Sequence, residues 1–291
     1  MKVIGIVANL DKLDAVEEAE RIAELIREEG GDVFYEHGLA ESLGSDCPVF
    51  SLEKIRREIE AVVVLGGDGT MIRTFRRLSR EEIPLLGINL GGLGFLTEVR
   101  LDSAGDALAD LLGDKLQIQE RNTLEGFCLR DGIEKEFFTA LNDVVIGKGG
   151  LARVIQMEAF VDDKYLTSYM ADGIIMATPT GSTAYSLSAQ GPIISPETDV
   201  FLLNPICPHT LTNRPIIIDG KRSVRIKMLT TPEGTCLTVD GQIGLPLKEG
   251  DEVIVRRGSN KLHLLTAPGM NFYSILRSKL NWGGRTHYKV P

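Results

Sequence analysis

Residues 1 to about 115 alternate short, fully apolar runs with stretches whose apolar residues recur every three or four positions. Val3-Ile4-Gly5-Ile6-Val7 reads as a buried strand. Leu13, Val16, Ala19, Ile22, Ala23 and Ile26 then mark one face of a helix that Gly30-Gly31 stops. Val33-Phe34-Tyr35 predicts the next strand, and Ser51 is placed to cap a helix carrying Ile55 and Ile59. Ala61 to Leu65 is apolar throughout, Thr70 to Leu78 returns to helical spacing, and Pro84 to Asn89 predicts a further strand. Strands apolar on both faces, alternating with helices, predict a parallel sheet with flanking helices.

From about residue 120 the rhythm changes. Alternating or β-branched runs appear at Val154 to Met157, Val224 to Lys227, Cys236 to Val239 and Val253 to Val255, separated by turn residues such as Asp162-Asp163-Lys164 and Pro232-Glu233-Gly234. This half is predicted to be mostly β, with one helix near Thr183 to Ala189. A last helix from about Asn271 to Leu280 is expected to pack back on the first domain. The expected organisation is an α/β domain over 1–115, a β-rich domain over 116–270, and a C-terminal helix and tail over 271–291.

With 291 residues, 43% of them apolar and 25% charged, the composition is that of a soluble globular protein rather than a disordered or fibrous one. A net charge of -9 argues against a phosphate-backbone binder, so no nucleic-acid partner is expected. Asn9 and Asp11 interrupt the first apolar run too early for a signal peptide, and no run approaches membrane-spanning length. The expectation is a cytoplasmic protein with no membrane partner. Cys47, Cys128, Cys207 and Cys236 lack metal or disulfide spacing and read as reduced thiols, and the four histidines are equally dispersed.

The chemistry concentrates at Leu65-Gly66-Gly67-Asp68-Gly69-Thr70, where a buried strand gives way to a helix. In a parallel sheet such a turn faces the ligand crevice, and the glycines Gly66, Gly67 and Gly69 let the backbone approach a phosphate. Asp68 has the wrong sign for an anion site. It either holds a magnesium ion, faces a hydroxyl that must lose a proton, or caps the helix beginning near Thr70. A second loop, Gly91-Gly92-Leu93-Gly94-Phe95, follows the next strand and would lie beside the first. Arg73, one turn into the helix, can add a cation, whereas Arg76 and Arg77 read as a solvated face. No Walker, Rossmann, protein-kinase or nucleophile-elbow motif is present.

In the second half Asn142-Asp143 pairs an amide with a carboxylate between two apolar runs. Such a pair can bracket vicinal ribose hydroxyls, or be a simple turn. Thr178-Pro179-Thr180-Gly181-Ser182-Thr183-Ala184-Tyr185 packs many hydroxyl donors into eight residues, as a nucleoside edge requires.

Together with Gly92 to Phe95, Leu141-Asn142-Asp143, Asp172-Gly173, Pro208-His209, Arg214-Pro215, Asp240-Gly241-Gln242 and Leu276 to Trp282, these segments resemble the NAD kinases in order and spacing over nearly the whole chain. The resemblance implies phosphorylation of the adenosine-ribose 2'-hydroxyl of NAD to give NADP. It also implies an N-terminal α/β domain, a sandwich-like C-terminal domain and a site between them. Asp68 would be the proton acceptor. NAD would be met by Asp68, Gly69, Asn142, Asp143, Arg153, Asp172, Thr180, Thr183, Ala184, Tyr185, Ser188 and Gln242, and the phosphates of ATP by Gly66, Gly67, Gly69, Thr70, Arg73, Gly92, Gly94 and Phe95. Many relatives have Glu where Asp143 stands, and Arg and Gly where Met170 and Gln190 stand, so contacts made there by relatives do not transfer directly. His209 would shape the pocket. ATP is the implied donor, with inorganic polyphosphate left open. Magnesium or another divalent cation is the implied cofactor, and a homodimer or homotetramer the implied assembly. A lipid or sugar-phosphate kinase sharing the glycine-Asp turn, or a non-catalytic NADP(H)-binding regulator, are the alternatives.

Overall fold

The computed structural model describes residues 1–44, 47–51, 58–78, 81–149 and 154–282. Two compact units emerge: Met1–Glu120 with Leu262–Pro291, and Arg121–Lys261.

The first unit is built on an eight-stranded sheet. Its order is Val49–Phe50, Asp32–Glu36, Val3–Ala8, Ala61–Gly66, Leu85–Asn89, Leu262–Thr266, Gln117–Arg121, with the short strand Val99–Arg100 also paired to Leu85–Asn89. From Val49 to Asn89 the pairing is parallel, and Ile4 lies opposite Ala61 and Val62 opposite Leu85. All six residues of Ala61–Gly66 are buried, as helices on both faces demand. Helix Ala15–Glu28 turns Ala15, Ala19, Ile22, Ala23 and Ile26 inward, with Glu17 and Glu18 in its first turn and Arg27 in its last, signs that suit the helix dipole. It starts two residues after Leu13, so Leu13, which shares the apolar spacing, is fully exposed. Strand order reverses direction between Val3–Ala8 and Ala61–Gly66, and ligands bind at the carboxyl ends beside such a switch point.

The second unit contains two six-stranded sheets. One runs Ile216–Asp219, Val200–Ile206, Gly173–Ala177, Asp143–Gly147, Cys236–Val239, Ile243–Pro246. The other runs Lys164–Ala171, Ile155–Val161, Ser223–Thr230, Glu252–Arg257, Leu124–Arg130, Ile133–Ala140. Pairing is antiparallel throughout. Alternate residues of both sheets, among them Val144, Ile146, Met157, Ile174, Ile226, Leu237 and Val253, meet in one apolar cluster, so this is a β-sandwich.

Three details differ from the sequence reading. Strands Gln117–Arg121 and Leu262–Thr266, expected with the β-rich half, belong to the first sheet, where Leu264 lies opposite Leu85. Neither Gln117-Ile118-Gln119-Glu120-Arg121 nor Leu262-His263-Leu264-Leu265-Thr266 carries a local signal that says which sheet it joins. The helix expected near Thr183 to Ala189 is shorter than that, Tyr185–Ser188, and is preceded by a 3-10 turn, Thr180–Thr183. There the Ser182 hydroxyl donates to the Pro179 carbonyl and that of Thr183 to the Thr180 carbonyl, local bonds that compete with helix continuation. The helix after the glycine-Asp turn begins at Asp68 rather than Thr70. The helix expected after Ser51 lies outside the described residues. The terminal helix, Phe272–Lys279, is present, capped by the Asn271 side chain accepting from Ser274 N–H, and Phe272 stacks on Phe95 at 6.2 Å between ring centroids.

Because Ile226 is wholly buried at the centre of the sandwich, Ile226→Ala should cost about 2–5 kcal/mol. Urea unfolding followed by circular dichroism is expected to show a lower midpoint; an unchanged midpoint would contradict the shared core.

Candidate functional site

At the carboxyl ends of strands Ala61–Gly66 and Leu85–Asn89, the two glycine loops are joined by one carboxylate. Asp68 Oδ2 accepts from the Phe95 N–H at 2.9 Å, while Oδ1 accepts from Leu96 N–H at 3.0 Å, Thr97 N–H at 3.2 Å and the Thr97 hydroxyl at 3.2 Å. Three consecutive N–H groups converging on one point form an anion-binding nest, and here a side chain fills it. Asn89 extends the network: its Nδ2 donates to Thr97 Oγ1 at 2.7 Å and its Oδ1 accepts from Gly91 N–H at 2.6 Å. Asp68 is thus neither a cap for its own helix nor a free side chain, but a bridge to the neighbouring loop.

The glycines sort into two groups. A Cβ on Gly94 would lie 2.0 Å from Asp68 Oδ1, and one on Gly66 would lie 2.4 Å from Thr70 Oγ1, so these two make room for the protein's own side chains. Gly67, Gly69 and Gly92 have nothing within 4 Å of such a Cβ. Among the described residues no packing requires glycine at those three positions. Arg73 is exposed one turn along the helix. A cavity of about 710 Å³ borders the second loop, lined in part by Arg21, Leu90, Gly92, Arg100 and Leu101. Its arginines are already paired, Arg21 with Glu18 at 2.7 Å and Arg100 with Asp102 at 3.0 Å.

In the second unit the turn Leu141-Asn142-Asp143 is fastened on two sides. The Thr178 hydroxyl donates to Leu141 O at 2.6 Å and Thr178 N–H to Asn142 O at 2.8 Å. Gly181 approaches so closely that a Cβ there would meet Asn142 O at 2.0 Å. From the other side the Asp240 carboxylate accepts from Leu141, Asn142 and Asp143 N–H at 3.0, 2.7 and 3.1 Å. Asn142 is half-buried, and its side-chain amide has no hydrogen-bond partner among the described residues. Asp143 is only 4% exposed, and burial, then the charge of Asp240, push its carboxyl up to about 7.

Thr183, Ala184, Tyr185 and Ser188 follow on the same loop and turn, with Tyr185 and Ser188 exposed and Thr180 buried. Gln242 is exposed on the hairpin after Asp240. Asp172 lies apart from them. It sits at the opposite end of the strand pair from Asp143, about 15 Å along at ~3.3 Å per residue, and pairs with Lys148 at 2.6 Å. Arg153 lies outside the described residues. Residues to which sequence reasoning gave no role are Thr97, the hydroxyl on Asp68, and Asp240, which entered only as part of the Asp240-Gly241-Gln242 segment of the resemblance. Among the described residues no three His, Cys, Asp or Glu side chains gather to hold a metal ion.

Residues 4–116 match the family model described as the ATP-NAD kinase N-terminal domain, and residues 141–267 match the ATP-NAD kinase C-terminal domain. The chain belongs to the ATP-NAD kinase family. It is 42% identical over 285 residues to the NAD kinase of Syntrophotalea carbinolica, covering 98% of this chain and 100% of that one. It is 48% identical over 226 residues to that of Geobacter sulfurreducens, covering 78% and 80%. Among solved structures it resembles a yeast NADH kinase complexed with NADH, at a TM-score of 0.89 and 25% identity over 99% of this chain and 89% of that one. It shares its fold with an NAD kinase from Archaeoglobus fulgidus in complex with ATP, at a TM-score of 0.75 and 22% identity over 97% and 99% of the two chains. Among the described residues no helix is long and apolar enough to cross a membrane.

Two expectations follow within this kinase fold. Gly94→Ala should force Asp68 off the second loop and destabilise the first unit by about 1–3 kcal/mol. Gly92→Ala should leave stability within roughly 0.5 kcal/mol. Thermal melts of both variants check the contrast. Asp143 has its folded pKa raised, from 3.8 to about 7, so the native state keeps a proton that the unfolded chain has released, and stability falls as pH rises through that window. Asp143→Asn is therefore expected to raise the melting temperature at pH 8 with little change near pH 4. A uniform change across pH would show that the carboxyl is not the titrating group.

Proposed function

We propose that Asp68 orients the 2'-hydroxyl of the adenosine ribose of NAD, and takes its proton late in the reaction, as the γ-phosphoryl of ATP transfers to give NADP and ADP. The observation that carries this is the uneven loading of its carboxylate. Among the described residues Oδ1 accepts three hydrogen bonds and Oδ2 only one, so Oδ2 keeps an in-plane lone pair for a substrate hydroxyl. The bonds to Phe95, Leu96 and Thr97 hold that lone pair in a fixed direction, and positioning of this kind is most of what a phosphoryl-transfer enzyme supplies.

Gly67, Gly69 and Gly92 admit the phosphates to backbone contact, and Arg73 contributes positive charge against the transferring group. Asn142 donates to and accepts from a ribose hydroxyl, with Asp143 offering the edge of its carboxyl beside it. Thr183, Ala184 and Tyr185 line the nucleoside. The residues here do not form a cage for magnesium, since the donors around Asp68 are N–H groups that disfavour a cation. A divalent cation would come on the phosphates of ATP, and no step is assigned to protein ligands for it. By resemblance alone the enzyme is a cytoplasmic homo-oligomer.

The test is NADP formation by the purified protein from NAD and ATP, with and without magnesium. No product from NAD, with turnover instead on a lipid or a sugar phosphate, would overturn the reading. Asp68→Asn keeps the shape of the side chain and is expected to retain NAD binding while kcat falls roughly 10²- to 10⁴-fold. Near-normal kcat in that variant would remove Asp68 from the chemistry.

A further inference from the structure

We propose that Asp240 is a positioning residue for NAD, holding the Leu141-Asn142-Asp143 turn so that the Asn142 amide and the Asp143 carboxyl meet the ribose in a single geometry. The inference rests on reading Asn142 and Asp143 as NAD contacts, and goes beyond it by naming what sets them. Asp240 closes the hairpin between Cys236–Val239 and Ile243–Pro246, and strand Cys236–Val239 pairs directly with Asp143–Gly147. Asp240 has φ 50° and Gly241 has φ 64°. Left-handed backbone is tolerated by Asp and natural to Gly, and it folds the Asp240 side chain back across its neighbour strand.

The resulting bonds run both ways. The Asp240 carboxylate takes all three N–H groups of the turn, and Asp240 N–H donates to Asp143 O at 2.9 Å. With Thr178 occupying Leu141 O and Asn142 O, every backbone polar group of the turn is spoken for. Only the two side chains remain for a ligand.

Asp240 also acts on Asp143 through its charge. Among the described residues it is the one charged group that acts on Asp143. The other charges on that strand pair, Lys148 and Asp172, lie at its far end and satisfy each other at 2.6 Å. A carboxylate accepts hydrogen bonds from ribose hydroxyls better than a carboxylic acid does, so NAD affinity should rise with pH as Asp143 ionises, with Asp240 setting the midpoint.

The experiment is calorimetric titration of the full-length protein with NAD between pH 5 and 9, which needs no turnover, run beside NADP assays of the same preparations. Asp240→Asn places an NH₂ against N–H donors and is expected to raise the NAD Kd roughly 10- to 100-fold. It should also move the pH midpoint of NAD binding downward and leave the KM for ATP unchanged. In an Asp143→Asn background the midpoint should be absent with or without Asp240. If Asp240→Asn does not fold, Asp240→Glu carries the test: it keeps the charge but shifts the oxygens by one methylene, and should weaken NAD several-fold with the midpoint in place. An unchanged NAD Kd in whichever variant folds would overturn the proposal. So would equal losses for NAD and ATP with an unmoved midpoint, the pattern of a purely structural role. Failure of the wild type to form NADP would overturn the kinase reading instead, and would leave the NAD titration to decide the role of Asp240.

Discussion

Two turns in this protein exist in their present form because an aspartate accepts three consecutive backbone N–H groups. Asp68 does this for Phe95, Leu96 and Thr97, and Asp240 does it for Leu141, Asn142 and Asp143. Three N–H groups pointing the same way repel one another and cannot be served by strand or helix pairing. Buried without an acceptor, each would cost a substantial part of the stability of the domain. A carboxylate satisfies all three with charge-assisted bonds, and in doing so removes the freedom of the loop that supplies them. The rigidity on which positioning catalysis depends is therefore electrostatic in origin and local to each turn.

That arrangement also redistributes the work of the second glycine loop. A loop rich in glycine after a parallel strand suggests a phosphate cradle, yet the nest at residues 95–97 is already filled by the protein's own anion. Gly94 is glycine because Asp68 occupies the space a Cβ would need, whereas among the described residues nothing claims that space at Gly92. One short segment thus serves two masters. Its first part is unclaimed by other described side chains, and its last part grips the Asp68 carboxylate.

The sequence reading succeeded where the signal is local. Apolar runs located the strands Val3–Ala8, Ala61–Gly66 and Leu85–Asn89, three- and four-residue spacing located the first helix, and alternation foretold a mostly β second half, its sandwich form being what the resemblance implied. Asp68 and the Asn142-Asp143 pair stood out because carboxylates and amides are unusual at the ends of apolar runs. What could not be read was everything decided by a distant partner. Nothing near Asp68 points to Thr97, and nothing near Asp143 points to Asp240, 97 positions away. The run Leu262–Thr266 crossed to the other sheet for the same reason. The helix expected near Thr183 to Ala189 is there but short, Tyr185–Ser188, because the hydroxyls of Ser182 and Thr183 bond the backbone three residues before them and hold the preceding residues in a 3-10 turn.

Asp143 shows how function and stability pull apart on one side chain. Desolvation and the neighbouring charge of Asp240 both disfavour its ionised form, so near neutral pH the fold carries a carboxyl poised between two states. An amide of the same shape would relieve that tension, yet it could not offer ribose hydroxyls an anionic acceptor. Asp240 cannot be removed to relieve it either, because the turn bearing Asn142 loses its N–H acceptor with it. The strain is accordingly a property of the pair: the anion that fixes the geometry of the turn is the same anion that raises the pKa of the carboxyl the turn presents. A turn held together this way tolerates a change at either aspartate only by giving up geometry or charge.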